Sequence, residues 1–260
     1  MSSLTPGATK IYLDSDYSIY KTPDISPADL IFTLENAVSY DFDVYALSLL
    51  EVSAPNIEPI FMVGVNDTFK FNENLNTVNV FTATLTEGFY TGTTLATELQ
   101  TRMNASGAAN TYTVSYNTGT FKLTITTTIP NTFRILGTSS GSTCLPELGF
   151  SSSTTTFTTA KTSDFVVNLV GSRYLDVRIN HQTGSVVSGP SERGNIVCRM
   201  SFDVPKGGIQ NYQAQVPVEH LVKRSALGRI EISMYNDRGL KVKLPTNHKY
   251  TFMLSLRAVS

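Results

Sequence analysis

Apolar and polar residues alternate with a period of two over much of the chain, which is the spacing of β-strands with one buried face. The clearest run covers 196–204, where the residues at even positions are apolar and those at odd positions are polar, except for Val197. Similar runs occur at 30–35, 45–49, 69–71, 230–234, 242–244 and 250–257. Strands at this spacing, separated by turns such as Asn236-Asp237-Arg238-Gly239, predict a mainly β protein. A single jelly-roll β-sandwich of eight strands is the leading candidate.

Residues 80–150 interrupt this period. Apolar residues at 95, 96, 99 and 103 have a helical spacing, Thr93 or Thr94 can cap the start of the helix, and Gly107 can end it. A hairpin follows, with strands at 112–116 and 121–125 joined by the turn Asn117-Thr118-Gly119. We therefore expect an inserted small β-α-β-β domain between two strands of the jelly roll.

The expected domain organisation has three parts. An N-terminal arm covers 1–29, where Ser, Thr, Pro, Gly and Asp interrupt scattered aromatic residues. The jelly-roll sandwich covers 30–75 and 160–260, and the inserted domain with its one helix covers 76–159. The low-complexity stretch Ser151–Thr159 returns the chain to the sandwich.

Composition excludes several classes of protein. The chain has 260 residues, of which 41% are hydrophobic and only 16% charged, so it is neither disordered nor highly charged and is expected to share surface with partners. Its net charge of −1 argues against coating nucleic acid as its main function, and we expect no specific nucleic-acid partner. The chain has no run near the ~20 apolar residues that cross a bilayer and no signal-peptide pattern, so we expect no membrane insertion.

The small net charge conceals a gradient along the chain. Residues 1–58 hold nine acidic and two basic residues, a net charge of −7, whereas 191–260 hold eleven basic and five acidic residues, a net charge of +6. Two explanations stay open. The two ends pair within one subunit, or the acidic flank of one copy meets the basic flank of the next in a head-to-tail contact.

We expect no catalytic, cofactor-binding or metal site. The sequence lacks a phosphate-binding glycine loop, a dinucleotide-binding glycine motif, HExxH and CxxC. The three histidines, His181, His220 and His248, fall in separate segments. Cys144 in an expected loop and Cys198 on the apolar face of an expected strand are too few for a disulfide framework.

Two charged groups invite a binding interpretation. Asp14 and Asp16 could contribute to a calcium site, but the other oxygen ligands are missing and a turn explains them. Lys223, Arg224 and Arg229 could contact phosphate, although a solvated strand edge explains them equally well.

Two groups of motifs resemble a known family. The first contains Glu87-Gly88-Phe89-Tyr90-Thr91 with Leu95, Ala96 and Leu99, the hairpin, and Leu148-Gly149-Phe150. The second contains 173–179, 196–205, Gly208, Tyr212 and 230–239. Together they resemble the penton (vertex or minor capsid) proteins of virophages, polinton-like viruses and related large DNA viruses of eukaryotes, over most of 30–258.

The resemblance implies a structural capsid protein and no enzyme. It implies pentamers at the icosahedral five-fold vertices, beside a major capsid protein with a double jelly roll, with minor capsid proteins or a vertex fibre as further partners. The location is then the virion, assembled inside the host cell. The insertion would point outward, and Thr138–Thr143 or Ser151–Thr159 would form its tip and attach a receptor or fibre.

Other functions stay open. A minor, cement or spike capsid protein can use the same sandwich. A carbohydrate-binding β-sandwich module is the alternative from another class, although the chain has no Trp to serve as a sugar platform. A sandwich-fold hydrolase would need a cleft with convergent acids, which no pattern in the sequence supplies.

Overall fold

The computed structural model describes residues 8–17, 30–33, 44–128, 130–180, 196–223, 229–242 and 249–259. Its elements, in chain order, are β1 Thr9–Asp14, β2 Leu30–Thr33, β3 Val44–Pro55, β4 Thr68–Glu73, β5 Phe81–Thr84, α1 Gly92–Asn104, β6 Tyr112–Asn117, β7 Lys122–Thr127, β8 Phe133–Ile135, α2 Leu145–Leu148, β9 Ala160–Thr162, β10 Tyr174–Asn180, β11 Ile196–Ser201, β12 Ile209–Gln213, β13 His220–Lys223, β14 Arg229–Asn236 and β15 Thr251–Ala258. The chain divides into two compact units, 1–58 with 172–260 and 59–171.

The first unit is a jelly-roll sandwich, as the alternating pattern predicts. One sheet has the order β1-β15-β3-β12, with β13 also paired to β3, and the other has the order β11-β10-β14-β2. If β12 and β13 are counted as one interrupted strand, these orders are those of an eight-strand jelly roll. The inserted unit occupies the connection between the third and fourth strands, β3 and β10.

The sandwich core is formed by the inward side of each strand. Leu30, Val177, Ile232 and Leu254 are almost fully buried and belong to one hydrophobic cluster between the two sheets. The turn at 236–239 forms as predicted, because the Gly239 amide donates to the Asn236 carbonyl and Gly239 adopts φ +75°. Only glycine adopts this left-handed conformation at little cost.

The segment expected to be an arm contains the first strand of the sandwich. β1 pairs with β15 over its whole length, from Thr9 with Leu256 to Asp14 with Thr251. Ile11 and Leu13 are buried in the core, whereas Tyr12 between them is exposed. The alternation in this segment is short and lies among Pro and Ser residues, so the sequence did not predict a strand here. The strand forms by pairing with β15, which is more than 230 residues away in the chain.

The inserted unit begins and ends outside the expected limits, at Pro59 and Gly171 rather than at 76 and 159. β4 pairs with β5 and β8, and its Phe69 and Phe71 are buried in the second hydrophobic cluster. At the other boundary, β9 pairs with β7. The alternation at 69–71 thus predicts a strand correctly but cannot tell which of the two cores receives its aromatic side chains.

The helix forms where its spacing predicts, with a different cap. Thr91 is the N-cap, and Thr91 and Thr94 form a capping box in which each side chain accepts from the other's amide. Leu95, Leu99 and Met103 bury the inner face of α1. From the same helix, Gln100 accepts the Val114 amide and Asn104 accepts the Tyr112 amide, so α1 covers the edge of β6.

The predicted hairpin also forms, with its strained residue in an unexpected place. The Asn117 side chain accepts the amides of Gly119 and Thr120, and the Asn117 carbonyl accepts that of Phe121. The left-handed residue is Phe121, with φ +56°, rather than Gly119. Phe121 is held there because its carbonyl accepts the Val167 amide, and its ring stays 56% exposed.

Candidate interaction surfaces

Of the three histidines and the basic group, the structure describes His220, Lys223 and Arg229. His220 lies in β13, where burial lowers its pKa, while His181 and His248 are outside the described residues. Lys223 ends β13 and Arg229 begins β14, and Arg224 is also outside the described residues. In the part of the chain that the structure describes, no three His, Cys, Asp or Glu side chains are grouped to hold a metal ion. Within the same ranges no helix is long and apolar enough to span a membrane.

Both cysteines are buried, although Cys144 lies in the loop that the sequence predicts. The Cys144 thiol donates to the Thr68 carbonyl at 3.2 Å, and burial raises its pKa well above the ordinary value. Cys198 packs in the sandwich core, and burial raises its pKa to about 11. Neither thiol is therefore a thiolate nucleophile near neutral pH.

The acidic and basic ends of the chain make contacts within the sandwich unit. Lys249 pairs with Asp16 at 2.6 Å and lies 3.9 Å from Asp14. The Asp14 carboxylate also accepts the Asp16 amide, which is the turn role expected of this pair. Lys206 donates to the Asn56 side chain and the Glu58 carbonyl. These contacts favour pairing within one subunit as one explanation of the gradient.

A groove of about 1200 Å³ is lined by residues of β1, β15, β3 and β12 and by Tyr17, and it also reaches Phe32 of the other sheet. Strand register aligns side chains of the β1-β15-β3-β12 sheet in two rows that face away from the core. The first row is Tyr12, Met253, Glu51 and Gln213. The second row is Asp14, Thr251, Ser53 and Asn211. We call this feature the tyrosine groove, because Tyr12 and Tyr17 are 70% and 82% exposed.

The far edge of the same sheet is uncharged and partly apolar. Residues 207–218, which include β12, contain no Asp, Glu, Lys or Arg. Ile209, Val216, Val218 and Leu221 are exposed along this edge. Protein edges that stay solvent-facing usually carry charges that prevent association. We call the surface formed by these four side chains the aliphatic edge.

A second uncharged surface of the inserted unit lies at the Glu73 end of β4. The loop 74–80 follows β4, whose six residues span about 17 Å from Thr68. Asn74 and Leu75 both have positive φ, and the Asn76 amide donates to the Glu73 carbonyl, which closes a tight turn. Leu75 and Val78 project from this loop and are 71% and 84% exposed. We call 74–80 the distal loop.

The two segments expected to form the tip lie beside β4 and β8. The Thr143 amide donates to the Thr68 carbonyl, so 138–143 rests against the opposite end of β4 from the distal loop. Ser151–Thr159 runs alongside β8, where the Thr155 amide donates to the Ile135 carbonyl. Thr158 pairs with Phe133, which lies opposite Glu73, so the segment Ser151–Thr159 reaches the same end of β4 as the distal loop.

Sequence reasoning missed the tyrosine groove, the aliphatic edge and the distal loop. A signal existed for the edge, because twelve consecutive uncharged residues at 207–218 are visible in the sequence. The groove had no such signal, because each row takes one residue from each of four strands that are far apart in the chain. In the first row these residues are at positions 12, 51, 213 and 253.

Comparisons with known proteins bear on the fold. No family model and no curated protein matches the chain. The crystal structure of the mavirus penton protein aligns with 97% of this chain and 99% of its own, at 11% identity and a TM-score of 0.54. A cryo-EM structure of the Sputnik virophage aligns with 97% of this chain and 98% of its own, at 12% identity and a TM-score of 0.42. The mavirus comparison confirms the expected penton-like jelly-roll fold.

Proposed function

We propose that this chain is a structural capsid protein and, more specifically, the penton subunit that forms pentamers at icosahedral vertices. The observation that carries the proposal is the fold shared with the mavirus penton protein over almost the whole of both chains, inserted unit included. A single jelly roll also suits a vertex role beside a major capsid protein with a double jelly roll. The proposed location is the virion.

The two edges of the groove sheet support ring formation. Within the described residues, β1 pairs only with β15 and β12 only with β3, so β1 and β12 form the two edges of this sheet. They are chemically different, with Tyr12 and charged neighbours on β1 and the aliphatic edge opposite. A closed ring of identical subunits requires two different, complementary surfaces on each subunit.

The aliphatic edge makes this proposal testable by one substitution. Burying a new carboxylate between subunits is costly, so Val216→Asp should convert pentamers into monomers. Val78→Asp is a matched control, because Val78 and Val216 are both 84% exposed and only Val216 lies on the edge. Native mass spectrometry measures the oligomeric state of both variants and of the original chain.

Co-expression with a double-jelly-roll major capsid protein tests the vertex location. Electron microscopy should show the chain at five-fold positions. Trimers, or density away from the vertices, would favour a spike or cement role instead. A monomer that joins no capsid lattice would contradict the capsid proposal altogether.

A further inference from the structure

We infer that the tyrosine groove binds a neutral oligosaccharide. The groove lies entirely in the sandwich unit, and its four strands bring together side chains of three kinds: exposed aromatic rings, a thioether and short polar groups. This binding site would add an attachment function to the proposed structural one, and because Tyr12 also lies on the β1 edge, the experiment below measures pentamer formation and glycan binding separately.

The first argument is the arrangement of apolar and polar groups along the rows. Adjacent strands are about 4.8 Å apart, so a row of four side chains spans about 14 Å. At the β1 end, Tyr12 and neighbouring Met253 offer apolar surface. At the β12 end, the Gln213 amide donates to the Glu51 carboxylate at 3.3 Å. A sugar ring presents an apolar face and a rim of hydroxyls, which match these two ends.

The second argument is the donor and acceptor content of the floor. Ser53 and Thr251 carry hydroxyls that donate and accept, and Asn211 carries an amide that does both. Sugar hydroxyls also donate and accept, so they can satisfy these groups in either direction. An apolar protein surface placed on the same floor would leave them unpaired, at about 1–3 kcal/mol for each buried group.

The third argument concerns charge. Asp14 and Glu51 stand in adjacent rows on the groove face, Lys10 also lines the groove, and these three charged groups together carry a net charge of −1. Two carboxylates disfavour sialylated or sulfated glycans and the phosphates of nucleic acid by like-charge repulsion. They are good acceptors for neutral hydroxyls, because hydrogen bonds to an ionised acceptor are the stronger kind. The groove chemistry therefore selects neutral sugars.

The two exposed tyrosines supply the stacking surface that Trp supplies in many sugar sites. Tyr12 belongs to β1, and Tyr17 ends the short 3₁₀ turn Ser15–Tyr17 that follows it. Both line the groove while staying largely solvent-exposed. Exposed tyrosine combines an apolar ring with a hydroxyl and is ordered on binding at low entropic cost.

The test is an array of neutral hexose and N-acetylhexosamine oligosaccharides, with sialylated and sulfated counterparts, probed with the full chain. At least one neutral glycan should bind with millimolar or tighter affinity in titration calorimetry. Tyr12→Ala and Glu51→Ala should each weaken that binding at least tenfold. Phe121→Ala, which removes an exposed ring in the other unit, should leave it unchanged.

Three results would overturn the inference: no neutral glycan bound, only acidic glycans bound, or binding retained in both groove variants. Native mass spectrometry of the same variants separates this outcome from the penton proposal. If Tyr12→Ala abolishes pentamers and the original chain binds no glycan, the groove is a contact between subunits. If glycan binding is lost and pentamers persist, the groove has the role inferred here.

Discussion

The sandwich unit and the inserted unit each have a hydrophobic core, yet they are built differently. Of the 20 basic and 21 acidic residues of the chain, eleven fall in the inserted unit of 113 residues and thirty in the sandwich unit of 147. Threonine makes up 27 of the 113 residues of the inserted unit. Charge is thus concentrated in the unit to which the proposed ring and groove surfaces belong.

Their cores also differ in composition. The inserted unit is centred on aromatic rings, with Tyr112 in edge contact with Phe71 and Phe133 at 5.2 and 5.6 Å between ring centres. The sandwich core consists mainly of aliphatic side chains on paired strands. The strands of the sandwich extend to twelve residues in β3, whereas those of the inserted unit have three to six.

Short strands leave more of the backbone to be satisfied by side chains. In the inserted unit Glu73, although buried, accepts the amides of Ala109 and Asn110 and the Tyr112 hydroxyl. Burial, with Glu73 beside it, raises the pKa of Tyr112. The stability of a small unit with short strands therefore depends on a few buried polar side chains as well as on its hydrophobic core.

The largest effects should come from truncating each core. Phe133→Ala should destabilise the inserted unit by about 3–5 kcal/mol, and Leu254→Ala the sandwich by about 2–5 kcal/mol, because each leaves a cavity. Native-state hydrogen exchange, read by mass spectrometry, should show lost protection in the mutated unit only. Equal loss in both units would mean that the two cores unfold as one.

Removal of the buried carboxylate comes next. Glu73→Ala should destabilise the inserted unit by about 3 kcal/mol, since two amides and a hydroxyl lose their acceptor. Glu219→Ala is the comparison in the sandwich, where the carboxylate forms an exposed ion pair with Arg257 worth about 0–1 kcal/mol. Chemical denaturation measures both. Similar losses would remove the proposed difference between the units.

The helix cap gives a smaller effect. Thr91→Ala should destabilise the inserted unit by about 1 kcal/mol, because the Thr94 amide loses its acceptor. Thr93 is exposed and lies two residues after Thr91, and Thr93→Ala should change stability by less than about 0.5 kcal/mol. Thermal unfolding distinguishes the two variants, and a larger loss in Thr93→Ala would assign the cap to Thr93.

The smallest expected effect is a pH dependence, arising from His220, of the stability of the sandwich unit. All three histidines lie in its part of the chain, and burial lowers the pKa of His220 below 6.5. The folded state then binds this proton less readily than the unfolded state. The stability associated with a neutral His220 is therefore complete above about pH 6.5 and is lost as the pH falls through the lower folded pKa.

His220→Gln should accordingly flatten the decrease in sandwich stability between pH 7.5 and pH 5. Hydrogen exchange at several pH values measures this slope in each unit. The inserted unit, which has no histidine, serves as the internal control. An unchanged slope in the variant would assign the pH dependence to other groups.

Local spacing was sufficient to predict which segments form strands and where the helix lies. The alternation at 196–204 and 250–257 became β11 and β15, and the spacing from Leu95 to Met103 became α1. The resemblance of two groups of motifs to penton proteins also led to the right fold. Such signals are readable because they relate residues that are neighbours in the chain.

Only the tertiary structure decided which strand pairs with which. It placed β1 beside β15, gave Phe69 and Phe71 to the inserted core, buried Cys144, and aligned Tyr12 with Glu51 across three strands. The period of a strand reports which residues share a face, but it carries no information on the neighbouring strand. Pairing is set by contacts between distant segments, so the domain limits and the groove could not be predicted from the sequence.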